Sequence, residues 1–331
     1  MENRYEFIMK MIEAKRTYNY LYGPVPSRRF GRSLGVDLTP FKTCSFDCVF
    51  CQLGRTLQKT LVRKEYIPLD AVLDEIKSWM KTDGDADYVT LSGSGEPTLH
   101  SGFGKVLQLL RQNLIPSVLL TNGSMLMLPE VREAAFYADI VKVSLSAWDQ
   151  HSFGWINRPH PQLNYNEIVE GIKTFRSQYS GKLWMEIFMM LGMNSTADKV
   201  KKIAAQIKEI KPDRVHLNTV VRPPAEDYAA AVEQTNLASL ANMFDPPAEV
   251  IAEFNANSQE HITATEDSIL SLLLRRPCTT DQIAGVYGMH TTEISKYLGD
   301  LMRKGQIREK RKKGAVYYIA ARMQNIKHVQ A

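Results

Sequence analysis

The chain has 331 residues, 44% hydrophobic and 23% charged, an ordinary soluble globular composition with enough length for two domains. Its net charge of +5 is uneven: residues 261–331 hold 12 Lys and Arg against 6 Asp and Glu, and the remainder holds 29 against 30. There is no run of about eighteen apolar residues, the charged start Met-Glu-Asn-Arg-Tyr-Glu lacks a signal peptide's apolar core, and four cysteines, three of them clustered, make no disulfide framework. A membrane span and a secreted disulfide scaffold are therefore excluded, and a cytoplasmic protein is expected.

From about residue 33 to 220, short apolar runs alternate with longer amphipathic ones, the rhythm of repeated βα units. The pattern predicts strands at 33–38, 88–91, 117–120, 140–145, 183–190 and 214–219. Between them, apolar residues at three- and four-residue spacing predict helices at 70–80, 104–112, 166–178 and 197–210. Six parallel strands with covering helices fit an α/β fold, a partial (β/α)6 TIM-like barrel whose site gathers at the C-terminal strand ends. Residues 222–260 change character: Arg-Pro-Pro-Ala-Glu-Asp ends the sixth strand, and Asp245-Pro-Pro breaks any continuing helix. From Thr263 a second module is expected, with helices at 266–275, 280–287 and 291–304 and a basic strand pair at 306–310 and 315–319. The division predicted is an N-terminal extension 1–20, a barrel 21–235, a capping segment and linker 236–262, a C-terminal domain 263–322 and a tail 323–331.

Cys44-Ser-Phe-Asp-Cys48-Val-Phe-Cys51 follows the first predicted strand. A structural zinc site takes four ligands, usually from paired Cys-x2-Cys hooks, and this loop offers three thiols. A four-iron cluster held by three thiolates keeps one iron open to a substrate or cofactor. Farther on, Gly93-Ser-Gly-Glu-Pro-Thr98 follows the second strand, where a carboxylate can accept hydrogen bonds from an ammonium group. Thr121-Asn-Gly123 and Val143-Ser-Leu-Ser146 end the third and fourth strands. Glu186 lies in an apolar run where an unpaired carboxylate is costly, so it should face the interior with a partner. His216 and Asn218 share one face of the sixth strand.

The cysteine spacing, with an aromatic residue before the last thiol, resembles the signature of the radical S-adenosylmethionine (radical SAM) superfamily. The resemblance implies a [4Fe-4S] cluster on Cys44, Cys48 and Cys51, with the amine and carboxylate of S-adenosylmethionine on the fourth iron. It implies that Phe50 packs near the adenine, that Gly95 and Glu96 hold the methionine end, and that Ser144 contacts the nucleoside or carboxylate. Ser94 stands where the family's glycine pair begins, and Ser146 where many relatives carry an aspartate. Reductive cleavage to methionine and a 5′-deoxyadenosyl radical, followed by hydrogen abstraction, is the implied activity, with an electron donor such as flavodoxin or ferredoxin. No catalytic side chain beyond these follows.

Tyr22-Gly-Pro-Val-Pro-Ser-Arg-Arg-Phe-Gly-Arg-Ser-Leu-Gly-Val, with Arg222-Pro-Pro, resembles a subgroup grouped with wyosine-base synthases, which act on a guanine base in transfer RNA. Its guanidinium groups at Arg28, Arg29, Arg32 and Arg222 suit phosphates and carboxylates. The C-terminal module resembles a winged helix-turn-helix domain, with Ile294, Leu298 and Leu301 as the buried stripe of the third helix. Arg308, Lys310, Arg311, Lys312 and Lys313 would form a wing that tracks phosphates. Cys278 reads as a buried structural thiol. Three functions stay open: a radical enzyme on an RNA nucleoside delivered by the winged helix; one on a small molecule, peptide or protein with the winged helix as adaptor; and an iron-sulfur transcription regulator. The cofactor constellation argues against the regulator, which needs no cofactor turn.

Overall fold

A computed structural model describes residues 18–27, 29–82, 84–251, 264–312 and 314–321. Arg28, Lys313, the module start at Thr263, the tail 323–331 and most of the extension 1–20 lie outside the described residues.

The chain forms one eight-stranded sheet with strands β1 (Leu21–Ser27), β2 (Gly31–Val36), β5 (Tyr88–Leu91), β6 (Ser117–Thr121), β7 (Ile140–Ser144), β8 (Lys182–Met189), β9 (Arg214–Thr219) and β10 (Glu249–Val250), in that spatial order. Every neighbouring pair from β2 to β10 is parallel, and β1 runs antiparallel along the β2 edge. Two short strands, β3 (Thr43–Cys44) and β4 (Gln58–Lys59), pair with each other beside the sheet. Six strands are those the alternating pattern predicts, and the sheet exceeds that expectation at both edges. On one side β1 carries Gly23 and Pro24, with a register shift between Tyr22 and Val25, which an edge strand tolerates. On the other, the stretch expected to be capping segment and linker contributes β10 as well as a helix, Gln234–Ala241.

The helices α1 (Leu69–Thr82), α2 (Phe103–Gln112), α3 (Pro129–Ala135), α4 (Gln150–Ile156), α5 (Tyr165–Gln178), α6 (Ala197–Ile210) and α7 (Gln234–Ala241) follow the strands in sequence. Their apolar spacing decides which face is buried. Leu69, Val72, Ile76 and Trp79 of α1, and Phe103, Val106, Leu107 and Leu110 of α2, all join the main core. Full burial of such a side chain stabilises by roughly 1.5–3 kcal/mol. Asn164 opens α5 by accepting from the Asn166 and Glu167 N–H groups, satisfying donors a helix start leaves free.

The C-terminal part consists of α8 (Glu266–Arg275), α9 (Thr280–Tyr287), α10 (Thr291–Arg303) and an antiparallel hairpin of β11 (Ile307–Lys312) and β12 (Ala315–Ala320). Capping boxes at Thr265/Ser268 and Thr279/Gln282 start the first two helices, and Gly288 at φ +62° ends the second. Ile294, Leu298 and Leu301 are buried, as their spacing predicts. This part has its own core, and Val25 of β1 packs against it. Gln282 Nε2 donates to the Val221 carbonyl at 3.5 Å, and Lys312 Nζ pairs with Asp227 at 2.6 Å. Cys278 is fully buried, its backbone bridged to Tyr318 of the hairpin. The C-terminal part thus contacts both the β1 edge and the loop after β9.

Candidate active site

The three clustered cysteines lie on the segment between β2 and α1, Cys44 ending the short strand β3, at the C-terminal end of the sheet. Loops from distant strands hold that segment in place. The Asp47 and Val49 N–H groups donate to the Asn157 and Ile156 carbonyls, both at 3.0 Å, and Ser45 Oγ meets Ser124 Oγ at 2.7 Å. Asp47 pairs with Arg55 at 3.0 Å and Arg158 at 3.5 Å, and Glu226 ties the same two arginines to the loop after β9.

Each sulfur accepts one side-chain N–H. Lys42 Nζ lies 3.1 Å from Cys51 Sγ, Asn157 Nδ2 3.4 Å from Cys48 Sγ, and Asn122 Nδ2 3.6 Å from Cys44 Sγ. Burial and the Glu96 charge push the Cys44 thiol up to about 12, and burial with the two neighbouring thiols pushes Cys48 up as well. Lys42 is itself buried, which opposes its charge, yet the three cysteines outweigh burial and raise its pKa. Among the described residues no three His, Cys, Asp or Glu side chains form a group for a single metal ion.

The glycine turn after β5 is zipped to this loop. Lys42 N–H donates to the Ser94 carbonyl at 2.7 Å, and Glu96 N–H to the Thr43 carbonyl at 3.1 Å. A Cβ on Gly95 would stand 1.8 Å from the Thr43 carbonyl oxygen, so only glycine fits there. Glu96 is buried, with a carboxylate that accepts from Thr98 N–H at 3.1 Å, Thr98 Oγ1 at 2.6 Å, Thr121 Oγ1 at 2.6 Å and Asn122 N–H at 2.8 Å. Burial raises its pKa, and those bonds oppose the shift. Oε1 takes three of the donors and Oε2 one, so Oε2 keeps acceptor capacity.

Beside the cysteine loop, a cavity of about 410 Å³ opens into the sheet. Phe50 and Cys51 form part of its wall, Phe50 stacking on Phe188 with centroids 4.3 Å apart. Deeper in, Glu186 meets Lys142 at 2.6 Å and also pairs with Arg29. Burial would push the Glu186 carboxyl up, but Arg29 and Lys142 outweigh it and hold the group far below the usual range. The expected partner of Glu186 is therefore two cations. Asn218 Nδ2 approaches the same carboxylate at 3.4 Å and lines the cavity. His216, nearly fully buried against Trp184, is pushed down to about 3 by burial and by Lys142 and Arg29, so its ring is neutral near pH 7. Ser144 is half-buried at the end of β7, opposite Glu186 in register. Ser146 is committed to structure, its hydroxyl accepting from Phe188 N–H at 2.9 Å.

The basic cluster around the start of β2 divides. Arg29 enters the cavity, whereas Arg32 turns outward to Asp85 at 2.5 Å and Asp87 at 3.6 Å. Arg222 lines the cavity from the end of β9, and Leu272 and Arg276 line it from the α8 end.

The radical SAM superfamily matches residues 38–207, from the cysteine loop through α6. The chain belongs to the radical SAM superfamily. A UPF0026 protein of Methanocaldococcus jannaschii is 31% identical over 314 residues, 92% of this chain and 96% of that protein. A Brachyspira hyodysenteriae protein named GTPase Obg is 31% identical over 303 residues, 90% of this chain, which spans 45% of that protein's length. This radical SAM chain shares its fold with the solved structure of TYW1 with a lysine-pyruvate adduct bound: TM-score 0.51, 16% identity, 73% of this chain and 81% of that one covered.

As a radical SAM protein it is an enzyme of that class, with a [4Fe-4S] cluster and S-adenosylmethionine as cofactors. The donor set fits the cluster: three thiols on one loop, each with an N–H pointed at its sulfur, a contact that tunes a thiolate ligand. Sequence reasoning missed the donors Lys42, Asn122 and Asn157, which only the fold brings to the sulfurs. It also missed Lys142, although a lysine within Ile140-Val-Lys-Val carries the same buried-charge signal that marked Glu186. No helix among the described residues is long and apolar enough to cross a membrane.

Proposed function

We propose that this radical SAM enzyme abstracts hydrogen from a substrate small enough to enter the cavity between the sheet and the C-terminal part. One observation carries the reading: Phe50 and Cys51 share that cavity with Leu272 and Arg276 of the C-terminal part. Its volume, about 410 Å³, suits a small molecule or a single residue of a larger one. When bound, the cluster and S-adenosylmethionine supply reductive cleavage of the sulfonium and the radical that takes the hydrogen, with the electron from a donor such as flavodoxin or ferredoxin.

The chain's own residues have distinct parts in this reading. Cys44, Cys48 and Cys51 hold the cluster, and Lys42, Asn157 and Asn122 orient and polarise their sulfurs. Gly95 lets the cofactor turn lie against the cysteine loop, and Glu96 fixes that turn while Oε2 faces the methionine end. Phe50 would pack near the adenine, and Ser144 would contact the nucleoside or carboxylate. The Glu186, Lys142 and Arg29 group sets a polar floor with one net positive charge, and neutral His216 adds no charge beneath it. The C-terminal part, read as a winged helix, closes the cavity as an adaptor.

Anaerobic reconstitution tests the class. About four irons per chain and 5′-deoxyadenosine from the reduced protein are expected. Cys48→Ala should lose the cluster and Cys278→Ala keep it. Tight zinc binding without iron-sulfur absorbance would sink the reading. A second reading, an RNA nucleoside as substrate, is favoured by the exposed hairpin cations Arg308, Lys310 and Arg311.

A further inference from the structure

Two arginines meet at the mouth of this cavity from different parts of the molecule. Arg222 follows β9, and Arg276 is the residue that ends α8. Arg222 Nη1 reaches Gln52 Oε1 at 3.4 Å and its guanidinium lies near the Cys278 thiol, yet its Nε is buried without a partner. Arg276 is more exceptional: both its Nε and its Nη2 are buried and unpartnered. Among the described residues no carboxylate forms an ion pair with either one. Burial and the Arg276 charge push Arg222 down to about 10, as two neighbouring half-buried cations do.

The cavity floor is built differently. There, Glu186 pairs with both cations, Arg29 and Lys142, and offsets one of the two charges. At the mouth two guanidinium groups face one cavity with no counter-charge, and buried donors left unmade are costly. A planar guanidinium fork matches the oxygens of a phosphate or carboxylate, and two forks lining one cavity can share one such group. We propose that the substrate carries an oxyanion group, a phosphate monoester or a carboxylate, clasped between Arg222 of the sheet and Arg276 of the C-terminal part. This assignment rests on reading the cavity as the substrate site. The C-terminal part thereby gains a specific role, because its arginine completes the anion site. Binding the anion draws the two parts together and relieves their mutual repulsion.

The test uses the full chain, cluster-loaded and saturated with S-adenosylmethionine, titrated calorimetrically with inorganic phosphate and with succinate. Wild type is expected to bind at least one probe, and the preferred probe separates a phosphate from a carboxylate substrate. Arg222→Gln and Arg276→Gln should each weaken that binding tenfold or more, Arg276→Lys should retain part of it, and S-adenosylmethionine affinity should not change. Because each glutamine variant removes a repelling buried charge, its melting temperature without anion should equal or exceed that of wild type. Binding of neither probe by wild type, or equal binding by wild type and both glutamine variants, would overturn the proposal. So would a parallel tenfold loss of S-adenosylmethionine affinity, which would assign the arginines to the cofactor's own carboxylate. The same titration on cluster-free protein separates this inference from the class assignment. Anion binding by the cluster-free chain, beside loaded and reduced wild type that yields no 5′-deoxyadenosine, would uphold the arginine clasp and reject the radical chemistry.

Discussion

Lys42 Nζ donates a 3.1 Å hydrogen bond to Cys51 Sγ from a residue whose backbone sits at φ +60°. That left-handed conformation is uncommon for a residue with a Cβ and belongs to sites that over-determine it. Here the Lys42 N–H donates to Ser94 and its carbonyl accepts from the Gln58 N–H at 3.1 Å, fixing the turn that sends the side chain inward. The result is a buried ammonium against one cluster thiol, on the cavity side of the loop.

A cation beside a thiolate favours the more negative, reduced state of an iron-sulfur centre. Lys42→Met keeps the length and apolar stem and removes the charge. The variant is expected to load iron, because the three thiols remain, but with a reduction potential lower by on the order of 60 mV, the one-electron equivalent of a tenfold change. Redox titration followed by electron paramagnetic resonance reads it directly. An unchanged potential would mean that the 3.1 Å contact does not persist once the cluster is bound.

Glu96 is expected to matter for the fold before it matters for the cofactor. Its carboxylate satisfies four donors on three residues, Thr98, Thr121 and Asn122, and joins the loops after β5 and β6. Glu96→Ala leaves those buried donors unmade, at about 1–3 kcal/mol each where water cannot replace the lost acceptor. A loss of about 3 kcal/mol or more in denaturant unfolding of the cluster-free chain is the expected outcome, with Glu96→Gln losing less. A variant as stable as wild type that fails only to bind S-adenosylmethionine would reverse this order of roles.

What the sequence made legible follows from range. The four long helices and six parallel strands rest on local periodicity, and α6 and α8 fall at their expected bounds. The cysteine loop was readable because its chemistry lies within eight residues. β1 was hidden, since Gly23 and Pro24 interrupt its pattern and an edge strand needs no alternation. β10, two residues long, has no periodicity to detect. The partners of Glu186 and the meeting of Arg222 with Arg276 depend on contacts between segments far apart in sequence. Composition reports that charges exist, whereas only the sheet register and the docking of α8 decide which of them meet.

His216 gives the chain an acid-sensitive core. Its pKa falls from the ordinary 6.5 to about 3, so below pH 6.5 the unfolded chain takes a proton that the folded chain refuses. The contribution is fully present above about pH 6.5 and is lost as pH falls toward 3. Glu186, also depressed, acts in the same direction but only below the ordinary carboxylate range. Between about pH 6.5 and 5 the histidine should therefore dominate the difference between wild type and His216→Gln. Wild type should lose on the order of 1–2 kcal/mol more than the variant across that interval, from a limiting slope of about 1.4 kcal/mol per pH unit. Parallel curves in urea unfolding at the two pH values would show that the ring is protonated inside the fold.

The hairpin decides between the two substrate readings, and one cation expected to track phosphates, Lys312, is engaged within the chain. Lys312 is tied to Asp227 across the junction with the sheet, with 15% of its side chain exposed, so it holds the C-terminal part in place. Lys313 lies outside the described residues. Arg308, Lys310 and Arg311 remain exposed on β11. If these three track a phosphate backbone, replacing all of them with glutamine should flatten the slope of log affinity against log salt by about 2 for single-stranded RNA. Lys312→Gln should instead weaken the docking of the hairpin, read as faster amide exchange there, with a smaller change in salt slope. Filter binding across a salt series compares the three proteins. If wild type binds no RNA, or the triple variant binds with the same slope, the hairpin serves docking alone and the RNA nucleoside reading falls. The enclosed small-substrate reading then stands on the cavity and its two arginines.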